Sequence, residues 1–408
     1  MAGTTKKRPR PRPHAPEPPR DAQRSLSDIA TREVESERKP QLSGIDAPYT
    51  IMVLMLVAVG LICMYSASYA DAYFNMKGDS TFYVRRQLYF ALGGIAAMFF
   101  ISRLNYRTFH YFAIPAMVAA IAMLSTVKLI PSLWIKRGVA ARWMTIAGIQ
   151  FQPSELAKFA VILCFASLIT IFGTKKMRTL RYGTLPFLGI IGVLCGLMYL
   201  QPHFSGMAII AGIGIVMMYL GGSNFFYLGI GAGAAVAGGL YLVLAKGYAS
   251  DRLKYWLDPF SDALNNGFQA VQSLYAIGSG GLWGLGLGQS RQKHLFLPEP
   301  MNDFIFPVIC EELGYIGAML IIILFAAFIL RGYYIAARAG DKFGTLLAAG
   351  VTTQIAGQVI FNIGVVTGLL PVTGVSLPFF SSGGTSLMVL LAEVGVVLSV
   401  SRRIPAKQ

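Results

Sequence analysis

Charge is what this sequence has least of. Only 13% of its 408 residues are Asp, Glu, Lys or Arg, against roughly 25% in an ordinary soluble domain. So few charges cannot cover a water-facing surface, which excludes a string of soluble domains. Cysteine is equally scarce. Its four copies, Cys63, Cys164, Cys195 and Cys310, lie inside apolar runs or at their edges. None forms a CxxC pair, so neither a disulfide framework nor a cysteine zinc site is indicated. No GxxxxGK[ST] loop occurs, and the Gly-rich stretch 278–288 fits GxGxxG in no register. Nucleotide binding is set aside, and the glycines are expected to let backbone fold tightly at a membrane surface.

What the sequence does have is apolar length: 55% of residues are hydrophobic. Ten stretches are long enough to cross a hydrocarbon core of ~30 Å. They cover about residues 47–69, 87–102, 108–127, 153–172, 184–200, 205–221, 224–246, 304–330, 343–370 and 386–401. The expected fold is an all-α integral membrane protein of ten transmembrane helices. A long extracellular loop, 247–303, joins helices 7 and 8. Residues 1–46 are Pro-rich and charge-mixed, and read as a disordered cytoplasmic tail ahead of a membrane domain at 47–403.

The net charge of +16 would suit nucleic acid if it were clustered, but it is not. The tail holds ten Lys/Arg against seven Asp/Glu, and most of the excess lies in short loops between apolar runs. That placement favours lipid headgroups or a phosphorylated ligand over duplex DNA. Linkers on the side of the termini carry twelve Lys/Arg and one acid, Asp341, whereas short linkers on the other side carry seven Lys/Arg. The bias places both termini in the cytoplasm of a multi-pass plasma-membrane protein.

Several polar residues stand where an apolar protein would avoid them. Asp303 sits where the long loop enters the eighth span, and suits either a helix N-cap or a partly desolvated general base. Glu155 and Lys158 are three apart and share one helix face inside a span. They fit either a structural ion pair or a wet cavity. Glu311, Glu312 and Glu393 raise the same question. Trp134 and Trp143 flank Lys136, Arg137 and Arg142, as an interfacial aromatic belt or as a clamp for a lipid diphosphate. His203 lies in a tight turn with no second histidine near, so no metal site is expected from it.

Taken in order, a series of motifs resembles the SEDS family (shape, elongation, division and sporulation), which includes the FtsW, RodA and SpoVE proteins. They are Tyr65–Ser68, Arg142–Met144, Gln152–Lys158, Gly267–Ser273, Gly278–Leu282, Leu297–Phe306, Glu311–Gly314, Asn362–Gly368 and Leu377–Gly384. The stretch Gly281–Lys293 looks closest to the sporulation and division branch. The resemblance covers about residues 47–403 and implies a ten-helix bacterial peptidoglycan glycosyltransferase. Such an enzyme polymerises lipid II at the outer membrane face beside a class B penicillin-binding transpeptidase.

The resemblance implies that Asp303 is the catalytic base and that Glu155 and Lys158 form a polar pair in the central cavity. Arg137, Arg142, Trp143, Arg252, Lys293 and Glu299 join them as expected substrate-binding residues. A divalent cation, Mg or Mn, is compatible with a diphosphate leaving group, but no ligand cluster points to one. The expected partners are lipid II, the transpeptidase and membrane lipids, without nucleic acid. One departure stands out: the family's usual Gln-Pro-Asp turn reads Gln201-Pro202-His203 here. That change keeps a weakly active scaffold open as an alternative. A buried polar pair among helices keeps open a flippase for the lipid-linked precursor.

Overall fold

A computed structural model describes residues 44–137, 140–146, 148–245, 254–294 and 296–404. All but the last three residues of the expected tail lie outside the described residues, as does Arg252. Helix α1 (Ala47–Asn75) is followed by α2 (Phe82–Arg103), α3 (Phe109–Leu129), α4 (Pro153–Met177), α5 (Leu185–Tyr199), α6 (Phe204–Gly221) and α7 (Phe225–Ala245). A short amphipathic helix, α8 (Phe268–Ser279), lies within the long connection, and α9 (Ile305–Ala337), α10 (Lys342–Val366) and α11 (Gly384–Ser401) complete the order.

Nine helices among the described residues are long and apolar enough to span a membrane. The expected span at 224–246 coincides with α7, whose described apolar part, Phe225–Ala234, is shorter. Most of α4, α10 and α11 is buried, whereas α2 and α3 turn most of their surface outward. The first three therefore form the core and the other two the lipid-facing edge. Tyr49 of α1 stacks on Phe328 of α9 at 4.5 Å between ring centroids, and both rings are fully buried.

The helical membrane fold carries one small β element besides its helices. Residues between α3 and α4 form a three-stranded antiparallel sheet, β1 (Trp134–Arg137), β2 (Ala140–Ile146) and β3 (Ile149–Phe151), in the order β1-β2-β3. Hydropathy scanning marks this stretch only as a gap between spans, because its strands are short and their alternation covers few residues. Trp134 anchors it: its indole donates to Thr126 Oγ1 at 3.1 Å and the ring is buried.

At one end of the bundle, two aspartates cap helices. Asp46 accepts from the Tyr49 amide at 3.0 Å and receives Arg331 through Nε at 3.0 Å and Nη2 at 2.8 Å. Asp341 accepts from the Gly344 amide, Tyr106 and Arg107, each at 2.8 Å. Each carboxylate satisfies a free amide at a helix start and complements the positive end of its dipole. Asp46 also donates its backbone N–H to Ser401 Oγ at 3.4 Å, so the chain enters α1 beside the point where it leaves α11.

The Gly-rich stretch ends at the opposite side, against a break in α9. At Gly314, φ is +69°, which interrupts the helical ladder. The freed groups are taken up by the loop: Leu285 N donates to Glu311 O at 2.9 Å and Gly286 N to Glu312 O at 3.0 Å. In return, Tyr315 N donates to Gly281 O at 2.9 Å. A Cβ at Gly284 would stand 2.2 Å from Glu312 O, and one at Gly314 would stand 2.3 Å from Gly284 N. Only glycine permits this backbone-on-backbone contact. The stretch works as a splint for a broken helix.

Candidate active site

Asp303 lies just before α9 and is partly exposed. Its backbone carbonyl is held at 2.7 Å by Asn362 Nδ2 of α10, which also donates to Val375 O at 2.7 Å. One buried amide thus ties the Asp303 turn to the irregular segment before α11. That segment passes Gly374, where φ is +73°. A Cβ there would lie 3.0 Å from Asp303 Oδ2 and 2.9 Å from Arg142 Nη1. The carboxylate and the guanidinium therefore converge on one bare point of backbone.

Strand geometry explains how Arg142 arrives there. Successive side chains of β2 alternate between faces, so Arg142 and its neighbour Trp143 point apart. Arg142 turns toward Gly374 and donates Nη2 to the Pro202 carbonyl at 3.0 Å. Trp143 lines a cleft of about 400 Å3 on the other face, together with Arg86, Gln87, Gln150, Glu299 and Asn302. The expected clamp of Arg142 with Trp143 is thereby split between two faces. Glu299 is exposed and accepts from Asn302 Nδ2, while Ser382 Oγ donates to Asn302 Oδ1. Asn302 thus joins the cleft to Asp303, one residue on.

His203, in the turn before α6, is 5% exposed. Burial, then Arg142, then Lys158 push its imidazole well below the ordinary value of 6.5, so it is neutral. Its ring lies over Gly206, where a Cβ would meet Nδ1 at 2.8 Å.

Glu155 and Lys158 are brought together within α4. Lys158 Nζ lies 2.7 Å from Glu155 Oε2, and Gln358 Nε2 reaches the same carboxylate at 3.5 Å. Gln354 donates to Glu393 at 2.7 Å in the same buried polar set. The recess beside Glu155 is small, about 30 Å3, enough for a water or two and not for a headgroup.

Lys293, expected among the substrate-binding residues, is held in a buried ion pair against α9. Its ammonium is buried on Glu312 at 2.8 Å, and Ser66 Oγ lies 3.1 Å away. Ser66 donates to Glu312 at 2.7 Å, and Glu311 accepts from Ser290 Oγ at 2.5 Å and from Arg291 N at 3.0 Å. These groups lock the long connection onto α9. Arg137 closes β1 opposite Ala140.

Residues missed in the sequence reading are Asn362, Asn302, Arg86, Gln87 and Gln150. An amide inside an apolar helix, as at Asn362, is the one signal that was available. Among the described residues, no group of three or more His, Cys, Asp or Glu is placed to hold a metal.

The model of the family described as a cell cycle protein, FTSW_RODA_SPOVE, matches residues 47–405. Stage V sporulation protein E of Bacillus subtilis (strain 168) is 42% identical over 362 residues, 88% of this chain and 97% of that protein. The probable peptidoglycan glycosyltransferase FtsW of Trichlorobacter lovleyi is 37% identical over 370 residues, 90% of this chain and 96% of that one. Among solved structures, a chain described under "Structural coordination of polymerization and crosslinking by a peptidoglycan synthase complex" superposes with a TM-score of 0.74 at 26% identity, covering 89% of this chain and 99% of that chain. The rod shape determining protein RodA of Thermus thermophilus shares the fold, with a TM-score of 0.64 over 89% of this chain and 98% of that one at 24% identity. With its helices, its motifs and its whole membrane portion in register, the chain belongs to the FtsW/RodA/SpoVE family of multi-pass membrane proteins.

Proposed function

We propose that this protein is an inverting peptidoglycan glycosyltransferase that polymerises lipid II, and that Asp303 is its base. The observation that carries the reading is the convergence of the Asp303 carboxylate and the Arg142 guanidinium on Gly374, beside a cleft of about 400 Å3 that Asn302 lines. Asp303 takes the proton of the acceptor sugar's 4-hydroxyl as that oxygen attacks C1 of the donor MurNAc. The new C1–O bond forms opposite the old one, which breaks with its electron pair leaving on undecaprenyl diphosphate. The proton then passes to water. The base takes the acceptor's proton, and the diphosphate, which needs charge stabilisation more than protonation, leaves toward the nearby Arg142 guanidinium.

The Asp303 end is assigned to the outer membrane face, since Arg107, Arg331, Lys342, Arg402 and Arg403 gather at the other end. A class B transpeptidase is the expected partner, in keeping with a relative seen in a synthase complex. Purified protein should make long glycan from lipid II, and Asp303→Ala should make none while keeping its elution volume and Tm. Glycan from that variant would sink the assignment.

The buried set of Glu155, Lys158, Gln358, Gln354 and Glu393 favours a second reading, translocation of the lipid-linked precursor. Flipping of labelled lipid II in vesicles, lost in Lys158→Met and kept in Asp303→Ala, would support that reading instead.

A further inference from the structure

Three consecutive carbonyls of the turn that carries Asp303 are held by donors from other elements. Met301 O accepts from Ser382 N at 2.9 Å, Asn302 O from Ser381 Oγ at 2.7 Å, and Asp303 O from Asn362 Nδ2 at 2.7 Å. Helix chemistry explains why the last of these looks outward. The amide that would reach Asp303 O along α9 is that of residue 307, which is Pro307 and has no N–H. The helix start takes no side-chain cap either, its N-cap being Phe304. A carbonyl left open in this way needs a donor, and all three donors come from outside the turn.

Those donors are themselves firmly seated. Asn362 is buried in α10 and gives its second N–H to Val375 O at 2.7 Å. Its Oδ1 meets no donor among the described residues, so the amide stands in an apolar helix at a net cost, for the sake of its two N–H groups. Val375 follows Gly374, the point on which Asp303 Oδ2 and Arg142 Nη1 converge. One amide therefore fixes both the backbone that carries the carboxylate and the backbone that the carboxylate faces. Ser381 and Ser382 follow Phe379, whose φ of +67° is unfavourable for a bulky residue. Its buried ring packs edge-on to Phe328 at 5.7 Å, and a Cβ on Gly60 of α1 would stand 2.5 Å from its carbonyl. The Ser381 hydroxyl also lies 3.1 Å from Leu377 O, but the shorter contact is the one to Asn302 O. Ser381 O in turn accepts from Gln87 Nε2 of α2 at 3.0 Å. Helices α1, α2 and α9 thus seat the segment that grips the Asp303 turn.

Resting on the reading of Asp303 as the base, we infer that Asn362 and Ser381 are positioning residues for the glycosyl transfer. They hold the backbone at 302 and 303 so that the carboxylate meets the acceptor hydroxyl at hydrogen-bond distance. Neither touches the reacting atoms. A reacting group displaced by about 1 Å loses on the order of 100-fold in rate, so a clamp on the turn acts on the chemical step and leaves the binding of lipid II alone.

The test uses detergent-solubilised full-length protein and lipid II. Asn362→Ala and Ser381→Ala should each lower kcat about tenfold or more, roughly 1.4 kcal/mol of barrier, with KM and lipid II affinity within about twofold. Ser381→Thr keeps the hydroxyl and should restore most of the rate. Pro307→Ala returns a local amide to the turn, and adding it to Asn362→Ala should raise kcat again. A merely structural role would lower Tm and rate together and show neither rescue. Unchanged kcat in folded Asn362→Ala and Ser381→Ala, or a loss carried by KM, overturns the inference. If Asn362→Ala does not fold, Ser381→Ala against Ser381→Thr decides, and equal rates from that pair overturn it as well. Glycan from Asp303→Ala would instead remove the base itself, whereas an inactive Asp303→Ala beside fully active Asn362→Ala and Ser381→Ala would remove only the clamp.

Discussion

His203 is a buried ring within the fields of Arg142 and Lys158, and that has a thermodynamic consequence. Its folded value lies below the ordinary 6.5, so the unfolded chain takes up the proton first as pH falls. The stability held by the neutral ring is fully present above about pH 6.5 and is lost as pH falls through the depressed folded value. His203→Gln should flatten the loss of Tm between about pH 7.5 and 5.5, and an unchanged pH profile would show that the loss lies elsewhere. Gly374 gives a second test at this scale. Gly374→Ala would force a left-handed residue, costing about 1–2 kcal/mol, and would push a methyl between the Asp303 and Arg142 side chains. Polymerisation should fall by about tenfold or more through kcat, an added barrier of roughly 1.4 kcal/mol, with KM for lipid II little changed. A change confined to KM would place those groups in binding and not in the chemical step.

Among the elements, the long connection is the one whose hold on the bundle can be measured. It is pinned to α9 by the Lys293–Glu312 pair, each side chain 3% exposed, and by backbone bonds around Gly314. Breaking one half of a buried pair costs about 3–5 kcal/mol because the other charge is stranded. Lys293→Met should therefore lower Tm sharply, and adding Glu312→Leu should recover much of it. A double variant no better than the single would show that Ser66 and the glycine splint, and not the ion pair, hold the connection. The sequence reading grouped Lys293 with the substrate cations because it lies in a matching loop and carries the right charge. Its carboxylate partner is nineteen positions on, a tertiary contact that no local pattern reveals. The sheet at β1–β3 escaped notice for a related reason: three strands of seven residues or fewer give too little alternation to compete with the flanking spans. The helices were legible because hydropathy over about twenty residues is a strong signal.

At the scale of the whole molecule, the two ends of the bundle differ in what they do. One end carries the paired caps Asp46–Arg331 and Asp341–Arg107 together with the exits of α1 and α11. The other carries Asp303, the sheet and the cleft. Charge bias alone assigns the first to the cytoplasm. In intact cells, an impermeant thiol reagent should label a cysteine introduced at Asp79 and spare one introduced at Gly340, with the reverse pattern contradicting that orientation. Asp303, Arg142 and Glu155 are legible in the sequence, since charged residues beside apolar spans are costly to keep. How they are distributed was not legible: Arg142 and Trp143 are neighbours in sequence yet serve opposite faces of one strand, and Asn362 reaches Asp303 from 59 positions away. The account's central claim, that Asp303 is the base of a lipid II polymerase, is tested most directly by one assay. Wild type and Asp303→Ala, purified alike and matched in Tm, are given lipid II, and the product is resolved by chain length. Long glycan from wild type and none from the variant is the predicted result; equal glycan from both would contradict it.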